Sequence, residues 1–574
     1  MAPKLRAWSS SIKCRPHGSN GVNDACVSFV QNVTVCYLAT SVKGYVMDRL
    51  TDWLSSMYEK GMTIWTDNGQ LRYRSPPGAL SPEQVLMLRE MKHDIIAVLT
   101  DCRSPSVVSP ALQNRAGPDV APLAFQQEWY FSMRRAFERT ATTVAPMPVP
   151  IPLRLSGRLD VGALQRSLDA MVRRHESLRT RIVEVRGVPE QRIDKAAERE
   201  LCILDCTSFS QRELEEDVHH IVQSFCNTPM DLKAGPTFDA KLLRLSATEH
   251  VLAFVWDHFI TDRTSIVTFF REFWTIYKDI VLGRRSSLRH VAGQYADYAV
   301  WQKRTYPRWL REHSGYWKDR VSGGTPLQIP TETGLDHIKP GTAAVLQFSF
   351  NHALKNSLLD LAQHHRSSPG MIILAVLSVL GFHFCKQGDF VIPFNVTGRR
   401  YPEDSNVLGF FSGPLLLRIQ LSGNESFVEV LKHVSNEFLT ANEHLDYGQN
   451  VKDERAFQSV LVTWYPWSSS LFMAGQPTGD QGDVCPITTP FAMNSEIGEF
   501  RASDPYKWRL FLQNMPESID CTLGYRTDLY ARGTMERFVR ELLLISEQVV
   551  ANPQVRTSSV RGSERAQEYR SSFS

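Results

Sequence analysis

The chain has 574 residues, 43% of them hydrophobic and 22% charged, enough apolar material for several hydrophobic cores and roughly two to four domains. A formal net charge of +3, with no long basic run interleaved with aromatics, argues against general nucleic-acid binding. Ten cysteines at irregular spacing, without paired CxxC motifs, fit free thiols in a reducing cytosol and not a disulfide framework.

Residues 1–44 lack periodicity and read as a disordered extension, or as translation assigned too far upstream of Met47. Cys26 to Val42 is interrupted by Gln31, Asn32 and Thr34, so it is neither a signal-peptide core nor a membrane span of about 20 apolar residues. Met47, Leu50, Trp53, Leu54 and Met57 mark one face of a helix that ends at Gly61. Met62 to Trp65 and Leu71 to Arg74 then flank Asp67-Asn68-Gly69, a hairpin signal because Asn and Gly both tolerate positive φ. A second helix opens at Ser81-Pro82-Glu83-Gln84, where Ser81 caps, and places Val85, Leu88, Ile95, Ile96 and Leu99 on its apolar face.

This helix, hairpin and helix order, with Arg72-Tyr73-Arg74 and Pro76-Pro77-Gly78 between, resembles the N-terminal docking domains of the tubulysin-synthetase type over residues 45–100. The resemblance implies that an acidic C-terminal tail of an upstream protein adds along the hairpin edge. Strand alternation puts Leu71 and Tyr73 on one face and Arg72 and Arg74 on the other, so these two arginines are the expected partner-docking residues. Outside that context, two arginines would merely solvate an edge strand.

Residues 101–122, with Pro105, Pro110, Pro118 and Pro122, read as an extended linker. An amphipathic helix begins over Leu123 to Trp129, and another runs from Val161 to Arg174 into His175-Glu176-Ser177-Leu178-Arg179-Thr180. One strand is expected from Ile182 to Val188 and another from Ala240 to Leu245. Cys202 and Cys206 lie near His219 and His220, but those histidines fall on a charged helix face, so no metal is assigned. His250 to Trp256 has the composition of a buried strand, and Ile266 to Ile280 carries apolar residues at helical spacing. The polar stretch Asp257 to Ser265 therefore sits at a strand-to-helix turn, which presents side chains at the end of a sheet.

With His258 and Asp262 at the centre, Tyr295 to Gln302, Asn395 to Arg400 with Pro402-Glu403, Leu408-Gly409-Phe410-Phe411 and Tyr525 to Tyr530 follow in the motif order of nonribosomal peptide synthetase condensation domains, whose core is His-His-x-x-x-Asp-Gly. The resemblance covers residues 123–552. It implies an α/β (α+β) fold of two chloramphenicol-acetyltransferase-like lobes, a pseudo-dimer with a central tunnel, preceded by the small α-β-β-α docking domain. The N-lobe would be 123–324, the connection 325–342 and the C-lobe 343–552, with 553–574 a polar, disordered tail. His364-His365 lacks an Asp at the matching position and reads as surface.

The resemblance makes His258 the catalytic residue: a neutral imidazole would take the proton of an attacking hydroxyl or amine, or position that group. Asp262 is the expected brace, paired with Arg399 or Arg400, and Ser265 is expected to cap the following helix. Asp257 replaces the first His of the motif, and a carboxylate close to His258 would favour the protonated imidazole. Arg263 replaces the motif Gly; it either turns outward or shapes the acceptor side for a free, carboxylate-bearing molecule. Ser412-Gly413-Pro414 in place of Val-Asn-Thr, and the partial fit of His444-Leu445-Asp446-Tyr447-Gly448, argue against a standard peptide-bond-forming cycle.

With no adenylation domain, carrier domain or Gly-x-Ser-x-Gly elbow in the sequence, the implied protein is a free-standing cytoplasmic acyltransferase of nonribosomal peptide and polyketide biosynthesis. It would take an acyl chain from the phosphopantetheine thioester of an upstream carrier protein and release it onto a small alcohol or amine, ester favoured over amide. No bound cofactor of its own, nucleic acid or membrane is implied. Rival readings are a catalytically silent docking and recruitment module, an epimerase, and a coenzyme A-dependent acyltransferase, the last disfavoured by the missing Asp-Phe-Gly-Trp-Gly motif.

Overall fold

Two short extended runs separated by Asn68 and Gly69 pair as strands β1 (Thr63–Asp67) and β2 (Gln70–Arg74). Their antiparallel register sets Arg72 opposite Trp65 and Arg74 opposite Thr63. The computed structural model describes residues 63–67, 70–74, 119–139, 148–196, 200–208, 211–288, 290–291, 293–331, 342–399, 402–445, 460–465, 487–490, 506–560 and 562. The extension 1–44, the two docking-domain helices, linker residues 101–118 and residues 563–574 lie outside the described residues. The hairpin belongs to one compact unit, residues 1–108 with 400–402; residues 109–399 and 403–574 form the other.

The N-lobe of the larger unit comprises β3 (Val120–Pro122), α1 (Phe125–Arg139), β4 (Pro148–Ser156), α2 (Val161–Arg174), β5 (Thr180–Val185), β6 (Val188–Ile193), β7 (Cys202–Asp205), α3 (Gln211–Asn227), β8 (Phe238–Arg244), β9 (Glu249–Asp257), α4 (Arg263–Val281) and α5 (Tyr295–Val321). The single strand expected over Ile182 to Val188 is instead a hairpin. Arg186 and Gly187 both adopt positive φ, 53° and 80°, so the chain reverses there and Val185 pairs with Val188.

Strand β9 lies at the centre of a five-stranded sheet ordered β15 (Ile487–Pro490), β4, β9, β8, β7. Its side chains alternate between two cores: Leu252, Phe254 and Trp256 pack with α2 and α4, and Val251, Ala253 and Val255 with Val218, Val222 and Cys226 of α3. Both faces being covered explains why this strand reads as a nearly continuous apolar run. Asp160 caps α2 by accepting from Ala163 N at 2.8 Å. The end of α2 is fastened to α4 by Glu272, which binds His175 Nε2 at 2.7 Å and Arg174 Nε at 2.8 Å. Burial works to raise the Glu272 carboxyl, but these two partners outweigh it and bring it down to about 2.

The C-lobe comprises β10 (Thr325–Pro326), β11 (Ala343–Phe350), α6 (His352–His364), α7 (Pro369–His383), β12 (Asp389–Val396), β13 (Gly413–Gln420), α8 (Phe427–Glu443), β14 (Val460–Tyr465), β15 (Ile487–Pro490), β16 (Trp508–Asn514), β17 (Ile519–Arg526) and α9 (Arg532–Ala551). Its sheet runs β10-β12-β14-β16-β17-β11, with β13 added on β12. Helix α7 is apolar on every side because it is buried on every side, from Gly370 to Gly381. Among the described residues no single helix is long and apolar enough to cross a membrane. His364 and His365 end α6, the first exposed and the second half-buried.

Two expected boundaries move, and one strand changes lobe. Strand β10 pairs with β12, and Leu327 and Ile329 enter the C-lobe core, so that lobe starts near residue 325 and not 343. Strand β15 crosses back to join β4 in the N-lobe sheet, a pairing between segments too distant in sequence for local patterning to reveal. Residues 553–560 are packed, not a free tail. The first N–H groups of α8 have no partner within their own helix, and they donate outward, Phe427 N to Val555 O (3.0 Å) and Val428 N to Pro553 O (3.2 Å). Thr557 N adds a bond to Glu425 O, and Val560 is buried. In the last motif, the strand ends at Arg526 and Thr527 to Tyr530 form the turn before α9.

Helix α5, roughly 40 Å long, serves both lobes. Tyr295, Tyr298 and Ala299 lie in the N-lobe core and Trp317 in the C-lobe core. Conversely, Leu408, Phe410 and Phe411, which follow β12 in the chain, are buried in the N-lobe core.

Candidate active site

The turn after β9 holds His258 in one turn of 3-10 helix, His258–Ile260, capped by Asp257. Among the described residues no other residue hydrogen-bonds the His258 ring, and Nδ1 is enclosed. Ring packing positions the imidazole instead, with the Phe410 ring edge-on at 4.5 Å and Tyr130 at 6.2 Å. Burial lowers the His258 pKa below its ordinary 6.5; its own backbone carbonyl and Asp262 pull it back, and Arg509 pushes it further down. The imidazole is therefore neutral at neutral pH.

Asp262 connects the lobes. It is the N-cap of α4, with Oδ1 accepting from Ser265 N at 2.8 Å. Its Oδ2 accepts from Arg399 Nη1 at 2.6 Å, Phe411 N at 3.1 Å and Ser412 N at 3.2 Å. Of the two candidate arginines Arg399 makes this pair, while Arg400 lies outside the described residues. Arg399 also donates to Asp404 O and Val407 O and lies over the Phe411 ring.

Ser265 is not the cap, because α4 already begins at Arg263 and the cap position falls to Asp262. The Ser265 hydroxyl lies 2.8 Å from both Asp262 Oδ1 and Gly409 O, and accepts from Gly409 N and Arg399 Nη2. Tyr295 OH donates to Phe410 O in the same segment. A Cβ on Gly409 would come within 2.1 Å of the Tyr295 ring, so only glycine fits there.

Asp257, whose role the sequence leaves open, turns to Arg134. Its Oδ2 accepts from Arg134 Nη1 of α1 at 3.0 Å and its Oδ1 from Phe259 N at 2.9 Å. Burial raises the Asp257 carboxyl while Arg134 holds it down. Its charge is thus spent on Arg134, and the His258 pKa falls instead of rising.

Arg263 does not turn outward. It is half-buried with its guanidinium over the Tyr465 ring of β14, 4.3 Å from the centroid. His444 caps α8, where Nδ1 meets His313 Nδ1 of α5 at 2.7 Å; Asp446 to Gly448 lie outside the described residues. Gly413 and Pro414 open β13, opposite Val396 and Asn395. A cavity of about 840 Å³, lined by Arg174, Arg179, Leu288 and Gln294, lies at α2 and α5, and no residue from Asp257 to Ser265 borders it. Sequence reasoning did not find Arg134, Tyr465 or Arg509. The polar positions Thr463 and Tyr465 alternating with Val460, Val462 and Trp464 were the one local hint that β14 has a polar face.

Residues 119–568 match the family model for the condensation domain. The chain belongs to the condensation domain family. Condensation domains are acyltransferase-type enzymes that form amide or ester bonds. The match runs past α9, as the packing of Val560 against the C-lobe core requires. Residues 51–101 match the TubC N-terminal docking domain.

A linear gramicidin synthase of Brevibacillus parabrevis is 29% identical over 458 residues, 78% of this chain and 9% of that protein. Chondramide synthase cmdD of Chondromyces crocatus is 29% identical over 423 residues, 72% of this chain and 10% of that protein. The chain thus spans about a tenth of the length of these relatives. Two solved structures share the fold. The X-domain from teicoplanin biosynthesis has a TM-score of 0.65 at 21% identity, covering 78% of this chain and 99% of that one. A structure concerning condensation domain-mediated chain release from the enacyloxin polyketide synthase has a TM-score of 0.61 at 18% identity, covering 87% and 95%.

Proposed function

We propose that this condensation domain transfers an acyl group from the phosphopantetheine thioester of an upstream carrier protein to the hydroxyl or amine of a small acceptor, ester favoured over amide, releasing the chain. The observation that carries this reading is His258, a neutral imidazole without a hydrogen bond to another described residue, held by Phe410 beside the Asp262–Arg399 pair that joins the lobes. It accepts the acceptor's proton as the nucleophilic oxygen or nitrogen attacks the thioester carbonyl. A C–O or C–N bond forms, the C–S bond breaks, and the imidazolium returns its proton to the departing thiolate. The phosphopantetheine arm is substrate, and the reaction needs no cofactor resident in this chain. The chain-release structure among the structural neighbours supports release, said there of the enacyloxin synthase. We place the reaction in the cytoplasm, where acyl-loaded carriers are made.

The test is intact-protein mass spectrometry of an acyl-loaded carrier mixed with the enzyme and candidate alcohols or amines. Enzyme-dependent unloading with formation of the acyl ester or amide is expected; a carrier that stays loaded with every acceptor refutes the reading and favours a silent recruitment module.

The rate–pH profile follows from the site. Transfer requires neutral His258, whose pKa lies below 6.5, so the rate is expected to hold from neutral pH down past 6.5 and to fall only as the imidazole then protonates. Asp257→Asn is expected to leave this acid limb in place, because the carboxylate is engaged by Arg134. Arg509→Gln removes a cation that depresses the pKa and is expected to move the limb to higher pH.

Delivery of the substrate is assigned to the docking domain. The alternation of the sequence puts Arg72 and Arg74 on one face of the strand, suited to carboxylates of an acidic tail. Arg72→Glu/Arg74→Glu is expected to weaken binding of the upstream partner's C-terminal peptide at least tenfold, since each charged hydrogen bond contributes about 1.5–3 kcal/mol. Unaltered affinity in fluorescence anisotropy rules out this contact.

A further inference from the structure

The N-terminal turn of α4 carries a cation that the described residues leave unmatched. Among them Arg263 has no carboxylate partner and no hydrogen bond; its contact is the face of Tyr465. Removing a guanidinium from water is costly unless acceptors take its N–H donors, and a ring face leaves the in-plane donors unsatisfied.

A second polar group on the same wall is also unsatisfied. Thr463 is 2% exposed, and its hydroxyl has no hydrogen-bond partner among the described residues. Thr463 and Tyr465 are two residues apart on β14, so both leave the sheet on one face, whereas Val460 and Val462 belong to the C-lobe core on the other. The register with β16 places Phe511 beside Thr463. The Phe511 ring stacks with Tyr465 at 6.2 Å, and Arg509 covers Phe511 at 4.5 Å. This face of the C-lobe sheet therefore offers two guanidiniums on two neighbouring rings and a buried hydroxyl. It adjoins the reaction centre: Arg509 acts electrostatically on His258, and Arg263 directly follows Asp262.

We propose that Arg263 and Thr463 bind the carboxylate of the acceptor, so that the second substrate is a hydroxy- or amino-carboxylic acid and not a neutral alcohol or amine. The inference rests on the acyl-transfer reading for its substrate, but the anion site stands on the geometry of Arg263, Tyr465 and Thr463. A guanidinium offers two parallel N–H donors that match the two oxygens of a carboxylate, and Tyr465 fixes the plane in which they point. The Thr463 hydroxyl donates to a carboxylate oxygen from the adjacent position. Tethered there, the acceptor keeps its carboxylate away from the thioester and its hydroxyl or amine toward His258. The carboxylate itself is unchanged in the reaction.

The test uses the full chain and a panel of probes: lactate, 3-hydroxybutyrate, 3-hydroxybenzoate, glycine and 3-aminobenzoate, each paired with its carboxamide. Isothermal titration calorimetry is expected to show at least one carboxylate bound about 10- to 100-fold more tightly than its amide, the range for a charged hydrogen bond. Arg263→Gln is expected to abolish that preference, Arg263→Lys to restore part of it, and Thr463→Val to reduce it. Equal binding of every acid and amide by the unaltered protein, or a preference that survives Arg263→Gln, overturns the inference. The carrier-unloading assay with the same probes separates the two readings. Preference without transfer refutes the acyl-transfer reading alone, whereas His258-dependent transfer that ignores the carboxylate refutes the anion site alone.

Discussion

His258→Ala is expected to lower the single-turnover rate of acyl transfer by about 10²–10⁴-fold, the usual contribution of a positioned general base. That factor corresponds to about 3–5 kcal/mol of barrier. The loss should be confined to the chemistry. The His258 ring makes no hydrogen bond to another described residue, so truncation removes ring contacts with Phe410 and Tyr130, about 1 kcal/mol of folding stability. Carrier binding and the thermal midpoint are expected to stay near their original values. Unloading of the acyl carrier at an unchanged rate by His258→Ala would refute the mechanism, whichever product formed.

Asp262→Ala should act the other way, on the fold first. The carboxylate is 4% exposed and accepts from five groups: Ser265 N and its hydroxyl, Arg399, Phe411 N and Ser412 N. Its removal leaves Arg399, itself 4% exposed, as an uncompensated buried cation, which typically costs about 3–5 kcal/mol. Loss of the α4 cap adds about 1 kcal/mol. A marked drop in the urea midpoint is the expected result, with activity falling because Phe410, which packs on His258, adjoins the released segment. The control is Asp262→Ala/Arg399→Leu. With both charges gone, the double variant is expected to be more stable than Asp262→Ala alone, because the penalty is mostly that of the orphaned cation. A single-variant cost below about 1 kcal/mol would show that the pair braces nothing.

These effects arise because the site is held by segments from both halves of the chain. Sequence periodicity placed β9 and α4 and hence the turn that carries His258, because a strand covered on both faces and a long amphipathic helix each leave a local signature. The same reasoning failed at Arg186-Gly187, where valines on either side of a tight turn read as one strand. It failed again at residues 553–560, where the Ser- and Arg-rich composition of 553–574 as a whole hides that the Pro553 and Val555 carbonyls satisfy the start of α8. Asp257 shows a third limit. Adjacency to His258 in the chain suggested an electrostatic pair, but a 3-10 turn sends the carboxylate to Arg134, 123 residues earlier.

The sequence by itself determined the family, the two-lobed α/β plan, the hairpin with Arg72 and Arg74 on one face, and His258 as the residue to test. Each depends on local order and spacing, which the chain carries directly. Only the tertiary structure decided that Arg399 partners Asp262, that Ser265 binds Gly409 instead of capping α4, that β15 completes the N-lobe sheet, and that Arg263 rests on Tyr465. Those contacts join residues more than a hundred positions apart. Their energy comes from pairing of buried charges and closure of backbone hydrogen bonds, neither of which has a local pattern to read.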